Sequence, residues 1–272
     1  HTWGAHCSIS QPDSQFTLDQ WAIKQAYAVD AEKQSKDLVN AALAKRKSTG
    51  NSVEAVDVFN TTSWPRTELV TLPSDGQSTG GLVKDSDGNA VPSQLGPTHG
   101  GRRRLLFLAR DVPPMGAKRF LIESGEPAAE GNATLDGNTL SNGLIRVEVD
   151  ETSGRIKTLS YQGIPVNLAE TESGLGLNSY AYVSGRNPQT VAGRGPVEIR
   201  PGEAGPLAAS LAVISPEAPG CRRLVTVIRL ADGADHVEIF NIVDKEKVLT
   251  KEAVHFGFGF NVPDGQIRME MP

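Results

Sequence analysis

The sequence predicts a mainly β protein in which one long α-helix precedes a small antiparallel β-domain and a larger β-sandwich. Three observations carry this. Residues 16–47 contain neither Gly nor Pro and repeat apolar side chains at helical spacing. From residue 52 onward the texture changes to short β-branched runs separated by turn residues. The 28 Gly and 17 Pro among 272 residues imply many tight turns, which disfavours a helical bundle. At roughly 150 residues per domain the length corresponds to about two folded units.

The helix is expected over 17–47. Thr17 stands where an N-cap belongs, Gln20 completes a capping box, and Phe16 and Trp21 occupy the two staple positions. Leu18, Trp21, Ala22, Ala28, Val29, Val39, Ala42 and Leu43 form its apolar stripe, and Lys45, Arg46 and Lys47 suit the negative end of the dipole before Gly50. About 30 residues at roughly 1.5 Å each make a stripe near 45 Å long, which other elements must cover. No second stretch reads as a comparable helix, so partner helices are expected upstream of His1.

Candidate strands follow over 53–59, 68–72, 81–84, 90–94, 105–109 and 118–122, with Asp75-Gly76 and Asp87-Gly88 as hairpin turns. They make the small β-domain, 51–125. A second region, 133–272, opens with Asp136-Gly137 and Asn142-Gly143. Alternation over 144–149, the turn Thr152-Ser153-Gly154 and a run over 156–161 then predict a hairpin. Further strands are expected over 180–184, 197–200, 208–214, 222–230, 236–243 and 253–260, with Asp232-Gly233 joining two long ones. Regular strands without intervening helices point to a sandwich.

Composition narrows the function. Lys and Arg total 27 against 32 Asp and Glu, a formal charge of -5, which gives no electrostatic grip on nucleic acid or an anionic membrane surface. The basic run Arg102-Arg103-Arg104 reads as the solvated start of a strand. No apolar run approaches the ~20 residues of a membrane-spanning helix. Cys7 and Cys221 form no CxxC pattern and read as buried free thiols, compatible with either redox compartment. The chain starts at His1 without Met or a charged-then-apolar leader, and stops at Met269-Glu270-Met271-Pro272 directly after a strand-like run. Those ends predict an internal piece of a longer protein.

Familiar chemical motifs do not occur: there is no HExxH, no G-x-S-x-G, no phosphate loop and no dinucleotide fingerprint. His1 and His6 lie with Trp3 and Cys7 in a polar-aromatic segment, but their spacing is not that of a helical ligand pair. His99 reads as a loop residue, and His236 and His255 as structural residues of strands. An epimerase-like site in the sandwich would need one of those two beside a carboxylate in a cleft. Asp244, Glu246 and Glu252, interleaved with Lys245, Lys247 and Lys251, read as a self-compensating solvated loop. Glycosidase carboxylates are defined by their separation in space, so spacing nominates no pair.

Four segments taken together and in order resemble glycoside hydrolase family 38, the α-mannosidases. They are His1-Thr2-Trp3-Gly4-Ala5 before the helix; Val58-Phe59-Asn60-Thr61-Thr62-Ser63-Trp64-Pro65-Arg66; Leu140-Ser141-Asn142-Gly143-Leu144-Ile145-Arg146-Val147 with Ser153-Gly154-Arg155-Ile156; and Lys251-Glu252-Ala253-Val254-His255-Phe256. The resemblance covers nearly the whole chain. It implies an N-terminal α/β barrel upstream, then a three-helix bundle, with residues 1–50 as the end of the catalytic and bundle region and 17–47 as a bundle helix, followed by the small β-domain and a galactose-mutarotase-like sandwich cut off at Pro272. It further implies a zinc cofactor that holds the mannose hydroxyls, with His1 as one metal ligand. Thr2 stands where many relatives have a sugar-contacting Asp. The implied reaction is retaining hydrolysis of α-mannosides, with the nucleophile, the acid and the other ligands upstream, so this chain alone is expected to be inactive. The other reading is a non-catalytic carbohydrate-binding or scaffolding module, because a sandwich fold does not fix function.

Overall fold

The computed structural model describes residues 8, 10–44, 54–72, 80–99, 102–169, 176–187, 189–248, 250–262 and 265–266. The chain divides into two compact units, His1–Ser52 and Val53–Pro272.

In the first unit the expected helix is present as α1 (Gln15–Ala44), but its cap lies three residues earlier than the sequence suggests. Ser14 Oγ accepts the Thr17 N–H at 3.3 Å, and the Ser14 carbonyl accepts the Leu18 N–H at 3.0 Å. Thr17 is therefore an interior residue of the first turn; its hydroxyl donates to the Gln11 carbonyl at 2.9 Å and is buried. Two hydroxyl residues three apart compete for the capping role, and Ser14 takes it because Gln11 anchors both hydroxyls one turn upstream. With Ser14 at the cap, Thr17 and Gln20 both lie inside the helix. Lys45, Arg46, Lys47 and Gly50 lie outside the described residues. Along α1 the side chains of Ile23, Tyr27, Val29, Leu38 and Val39 are exposed.

The second unit begins with seven strands: β1 (Glu54–Asn60), β2 (Arg66–Leu72), β3 (Leu82–Asp85), β4 (Ala90–Val91), β5 (Ser93–His99), β6 (Arg102–Val112) and β7 (Gly116–Glu123). They form two sheets, ordered β1-β7-β3-β4 and β2-β6-β5. One core fills the space between them, made by Val83, Val91, Leu105, Phe107, Ala109, Val112, Phe120 and Ile122. The Phe107 and Phe120 rings meet at 4.9 Å, tilted by 52°, a favourable aromatic contact. The single run expected over 90–94 is broken at Pro92, which has no N–H to give a ladder. The Arg run opens β6 with Arg103 and Arg104 exposed, as expected. The Asp87-Gly88 turn joins β3 to β4, and Asp75-Gly76 lies outside the described residues.

Eleven strands follow: β8 (Thr134–Asp136), β9 (Thr139–Ser141), β10 (Ile145–Val149), β11 (Ile156–Tyr161), β12 (Ser179–Ser184), β13 (Val191–Ala192), β14 (Glu198–Ala204), β15 (Ala208–Ser215), β16 (Cys221–Ala231), β17 (Glu238–Lys245) and β18 (Glu252–Gly257). Sheets β11-β10-β9-β8 and β14-β15-β16-β17 face each other. Their shared core includes Leu140, Ile145, Val147, Val149 and Ile156 from the first, and Leu211, Val213, Ile228 and Leu230 from the second. A third sheet, β13-β12-β18, places Tyr180 against Ala218, Cys221 and Leu224. Three details differ from the sequence reading. The short strand β13 carries too little pattern to be seen. The last strand stops at Gly257, where Gly257-Phe258-Gly259 ends the regular ladder. His236 lies in the turn before β17 and not in a strand.

Gln94 of β5 ties the earlier sheets to β15. Its Nε2 donates to the Ala208 carbonyl at 3.1 Å, and its Oε1 accepts the Leu207 and Ala208 N–H groups at 2.8 and 2.9 Å.

Candidate functional site

The turn between β16 and β17 is held from several sides. Asn142 Nδ2 donates to the carbonyls of Ala231 and Ala234 at 2.9 and 2.8 Å, while its Oδ1 accepts the N–H groups of Leu144 and Ile145. Asp232 Oδ1 accepts the Asn132 N–H at 2.8 Å, and the Asp232 N–H donates to the Leu207 carbonyl at 2.8 Å. The turn is thereby a fixed platform, and it presents Asp235 and His236 between two clefts of about 280 Å³ each. One is polar, lined by Thr67, Glu68, Leu108, Asp232, Glu238 and neighbouring residues. The other is apolar, lined by Ile145, Leu159, Tyr161, Ile239, Phe258, Phe260 and their neighbours. Both lie near the lower end of the roughly 300–1,000 Å³ range of small-molecule sites.

Each acidic side chain of the polar cleft carries a partner. Glu68 pairs with Arg66 and Glu238 with Arg229, whose guanidinium also lies 5.7 Å from the Phe240 ring centre. Asp235 Oδ1 lies 3.2 Å from His236 Nδ1, with both side chains largely in solvent. Such a surface can accept hydrogen bonds from hydroxyl groups. It does not place two carboxyl groups in the distinct environments that separate an acid from a nucleophile.

A second polar cluster is buried in the sandwich. Arg194 is 5% exposed and donates to Ser215 Oγ at 2.9 Å, Thr226 Oγ1 at 3.3 Å and the Val213 carbonyl at 3.1 Å. Thr226 donates to Asn241 Oδ1 at 2.8 Å, and Asn241 exchanges amide hydrogen bonds with Asn178 at 2.7 and 3.1 Å. Burial pulls the Arg194 guanidinium down to about 10, because a charged group loses hydration there. Beyond this layer, the Tyr182 hydroxyl donates to Glu252 at 2.8 Å, and Lys245 also pairs with Glu252. Those two donors, Lys245 first, hold the Glu252 carboxyl below its ordinary range. Burial raises the Tyr180 phenol, helped by Cys221 beside it.

The sequence-nominated residues are therefore scattered. His1, His6 and Cys7 lie outside the described residues, as does the side chain of His99. His236 stands at the cleft rim beside Asp235, but as an exposed pair of chain neighbours. His255 is an exposed residue of β18, opposite Ala181. Cys221 is a buried free thiol, as expected. The charged loop expected around Asp244 is in part strand: Asp244 pairs with Arg222 across the β16–β17 ladder, and Lys245 with Glu252. Among the described residues no group of three or more His, Cys, Asp and Glu side chains could hold a metal ion. Sequence reasoning missed Asp235 and Arg194. The signal for Arg194 was its setting in Gly193-Arg194-Gly195, an arginine whose neighbours leave its backbone free to enter a core.

No family model matches the chain, and no curated protein matches it. Its fold is similar to that of a protein in the glycosyl hydrolase family 38 from Enterococcus faecalis, with a TM-score of 0.62 and 14% sequence identity over 92% of this chain. The chain spans 38% of the length of that protein.

Proposed function

We propose that this chain is the β-rich portion of a zinc-dependent retaining α-mannosidase, and that it does not turn over α-mannosides by itself. The supporting observation is the fold likeness over 92% of the chain to a segment that is 38% of a family 38 protein, together with the four ordered sequence segments. In this reading residues 1–50 belong to the end of the catalytic and bundle region, 51–125 form the small β-domain, and 133–272 begin the mutarotase-like sandwich. The nucleophile, the general acid and the remaining zinc ligands belong to the rest of the polypeptide. His1 is the one ligand assigned here, and one histidine does not make a tetrahedral site. Among the described residues no cluster of His, Cys, Asp and Glu side chains fits the metal.

The role left to this chain is architectural. Asn60 and Asn142, in two of the resembling segments, each donate their side-chain N–H groups to two backbone carbonyls. In these two segments the asparagines thus fix loops.

The test has two arms. The isolated chain is expected to show no hydrolysis of an aryl α-mannoside and no stoichiometric zinc by elemental analysis, whereas the full reading frame is expected to show both. Turnover or tight zinc in the isolated chain would overturn the division of labour. A full-length product lacking mannosidase activity would favour the second reading, a carbohydrate-binding or scaffolding module, for which the polar cleft at Asp232 and Asp235 supplies hydroxyl-binding groups.

A further inference from the structure

The pattern Asn-x-Thr or Asn-x-Ser, without proline in the middle, occurs twice in the sequence, as Asn60-Thr61-Thr62 and Asn132-Ala133-Thr134. It is the acceptor signal for N-linked glycosylation and belongs on a surface. The two copies stand in opposite surroundings.

Asn60 is 5% exposed, and both hydrogens of its amide are taken, by the carbonyls of Trp64 and Val112. A sugar on Nδ2 replaces one of those hydrogens. It would break a bond within the small β-domain and bring a bulky polar group into a buried place.

Asn132 lies just before β8 and is exposed. The backbone around it is fixed. Gly131 passes so close to Pro206 that an added Cβ would lie 2.4 Å from the Pro206 carbonyl oxygen, and the Ala133 N–H donates to the same oxygen at 2.8 Å. Ala133 is 1% exposed and belongs to the sandwich core. Side chains of an extended chain alternate between faces, so with Ala133 inward Asn132 and Thr134 share the outward face. Thr134 is exposed like Asn132, and β8 is an edge strand of its sheet. The amide and the hydroxyl of the signal are thereby presented on one solvent-facing side. Asn132 Nδ2 donates to Asp232 Oδ1 at 3.3 Å, which uses one amide hydrogen and leaves the other for replacement without loss of a buried bond. The Thr134 hydroxyl makes only a long contact with the Ser141 carbonyl, at 3.5 Å.

We infer that Asn132 is an acceptor for an N-linked glycan and that Asn60, with the same motif, is not. In the transfer, Asn132 Nδ2 bonds to the anomeric carbon of a lipid-pyrophosphate-linked oligosaccharide. The bond from that carbon to the pyrophosphate oxygen breaks, the lipid pyrophosphate leaves with the electron pair, and the amide proton passes to the transferase. The glycan then stands beside Asp232, at the rim of the polar cleft. The inference rests on these residues and is independent of any mannosidase activity.

The test is production of the chain behind a secretion signal in a eukaryotic host. Soluble, protease-resistant chain from medium and lysate is treated with peptide N-glycanase in isotopically heavy water, which converts each glycosylated Asn into a labelled Asp. Peptides containing Asn132 are expected to carry the label in most chains, and peptides containing Asn60 to carry none. Thr134→Ala is expected to abolish the label at Asn132 and Thr134→Ser to retain it, which separates loss of the signal from a change at the surface. Unlabelled Asn132 in the folded chain would overturn the inference. Labelled Asn60 in that same material would overturn it too, by showing that the fold accommodates a sugar at the buried copy.

Discussion

Asn60 and Asn142 show how single residues organise this molecule. Asn60 Nδ2 donates to the carbonyls of Trp64 and Val112 at 2.7 and 3.0 Å, and its Oδ1 accepts from the N–H and hydroxyl of Thr62 at 2.9 and 2.7 Å. Asn142 does the equivalent for the β16–β17 turn across 89 and 92 residues of sequence. Replacing Asn142, 4% exposed, by Ala leaves two carbonyls and two N–H groups without their side-chain partner. Asn142→Ala is therefore expected to destabilise the fold by about 2–4 kcal/mol in urea unfolding, with faster amide exchange at the turn. A change below about 0.5 kcal/mol would show that water replaces the amide at no cost. Gly154 illustrates a different constraint: its φ is +65°, and an added Cβ would lie 2.5 Å from Val213 Cγ1, so the turn before β11 requires glycine for both conformation and space.

At the scale of elements, α1 was visible in the sequence as a body and misplaced at its start. Periodicity defines the body, but two hydroxyl residues three apart both satisfy the capping pattern, and only the position of Gln11 distinguishes them. The Ser14→Ala variant is expected to cost about 1 kcal/mol of helix stability and to speed exchange of the Thr17 amide. An unchanged exchange rate would return the cap to Thr17. Among the strands, the long ones with clear alternation, β10, β15 and β16, were legible nearly to the residue. β13 was not, because two residues hold no period. The interruption at Pro92 has a plain cause in the missing donor, although the run reads as continuous by hydrophobicity.

Across the whole molecule, the carboxylates act together through pH. Asp85, held down chiefly by the Asn89 N–H, Asp150, by the Ser153 N–H, and Glu252, by Lys245, all sit below their ordinary values. A depressed folded-state value means stability that is present above the unfolded value, about 3.9 for Asp and 4.3 for Glu, and is lost as pH falls through the folded value. Thermal midpoints are therefore expected to vary little from neutral pH to about 5 and to drop below about 4. A midpoint that rises on acidification would contradict these pairings.

What the sequence determined by itself was local: the mainly β class, the long helix, the hairpin turns at Asp87-Gly88, Ser153-Gly154 and Asp232-Gly233, and the absence of the usual catalytic motifs. These follow from side-chain period and from the conformational limits of Gly, Pro and Asn, which act over a few residues. The tertiary structure alone decided that His236 leaves its strand to stand with Asp235 between two clefts, that Arg194 is a buried cation supported by Ser215 and Thr226, and that Gln94 binds the backbone of β15. Each of these depends on groups brought together from distant parts of the chain, 114 residues apart for Gln94 and Ala208. Burial and hydrogen-bond geometry between such groups are set by packing, for which a linear pattern carries no period.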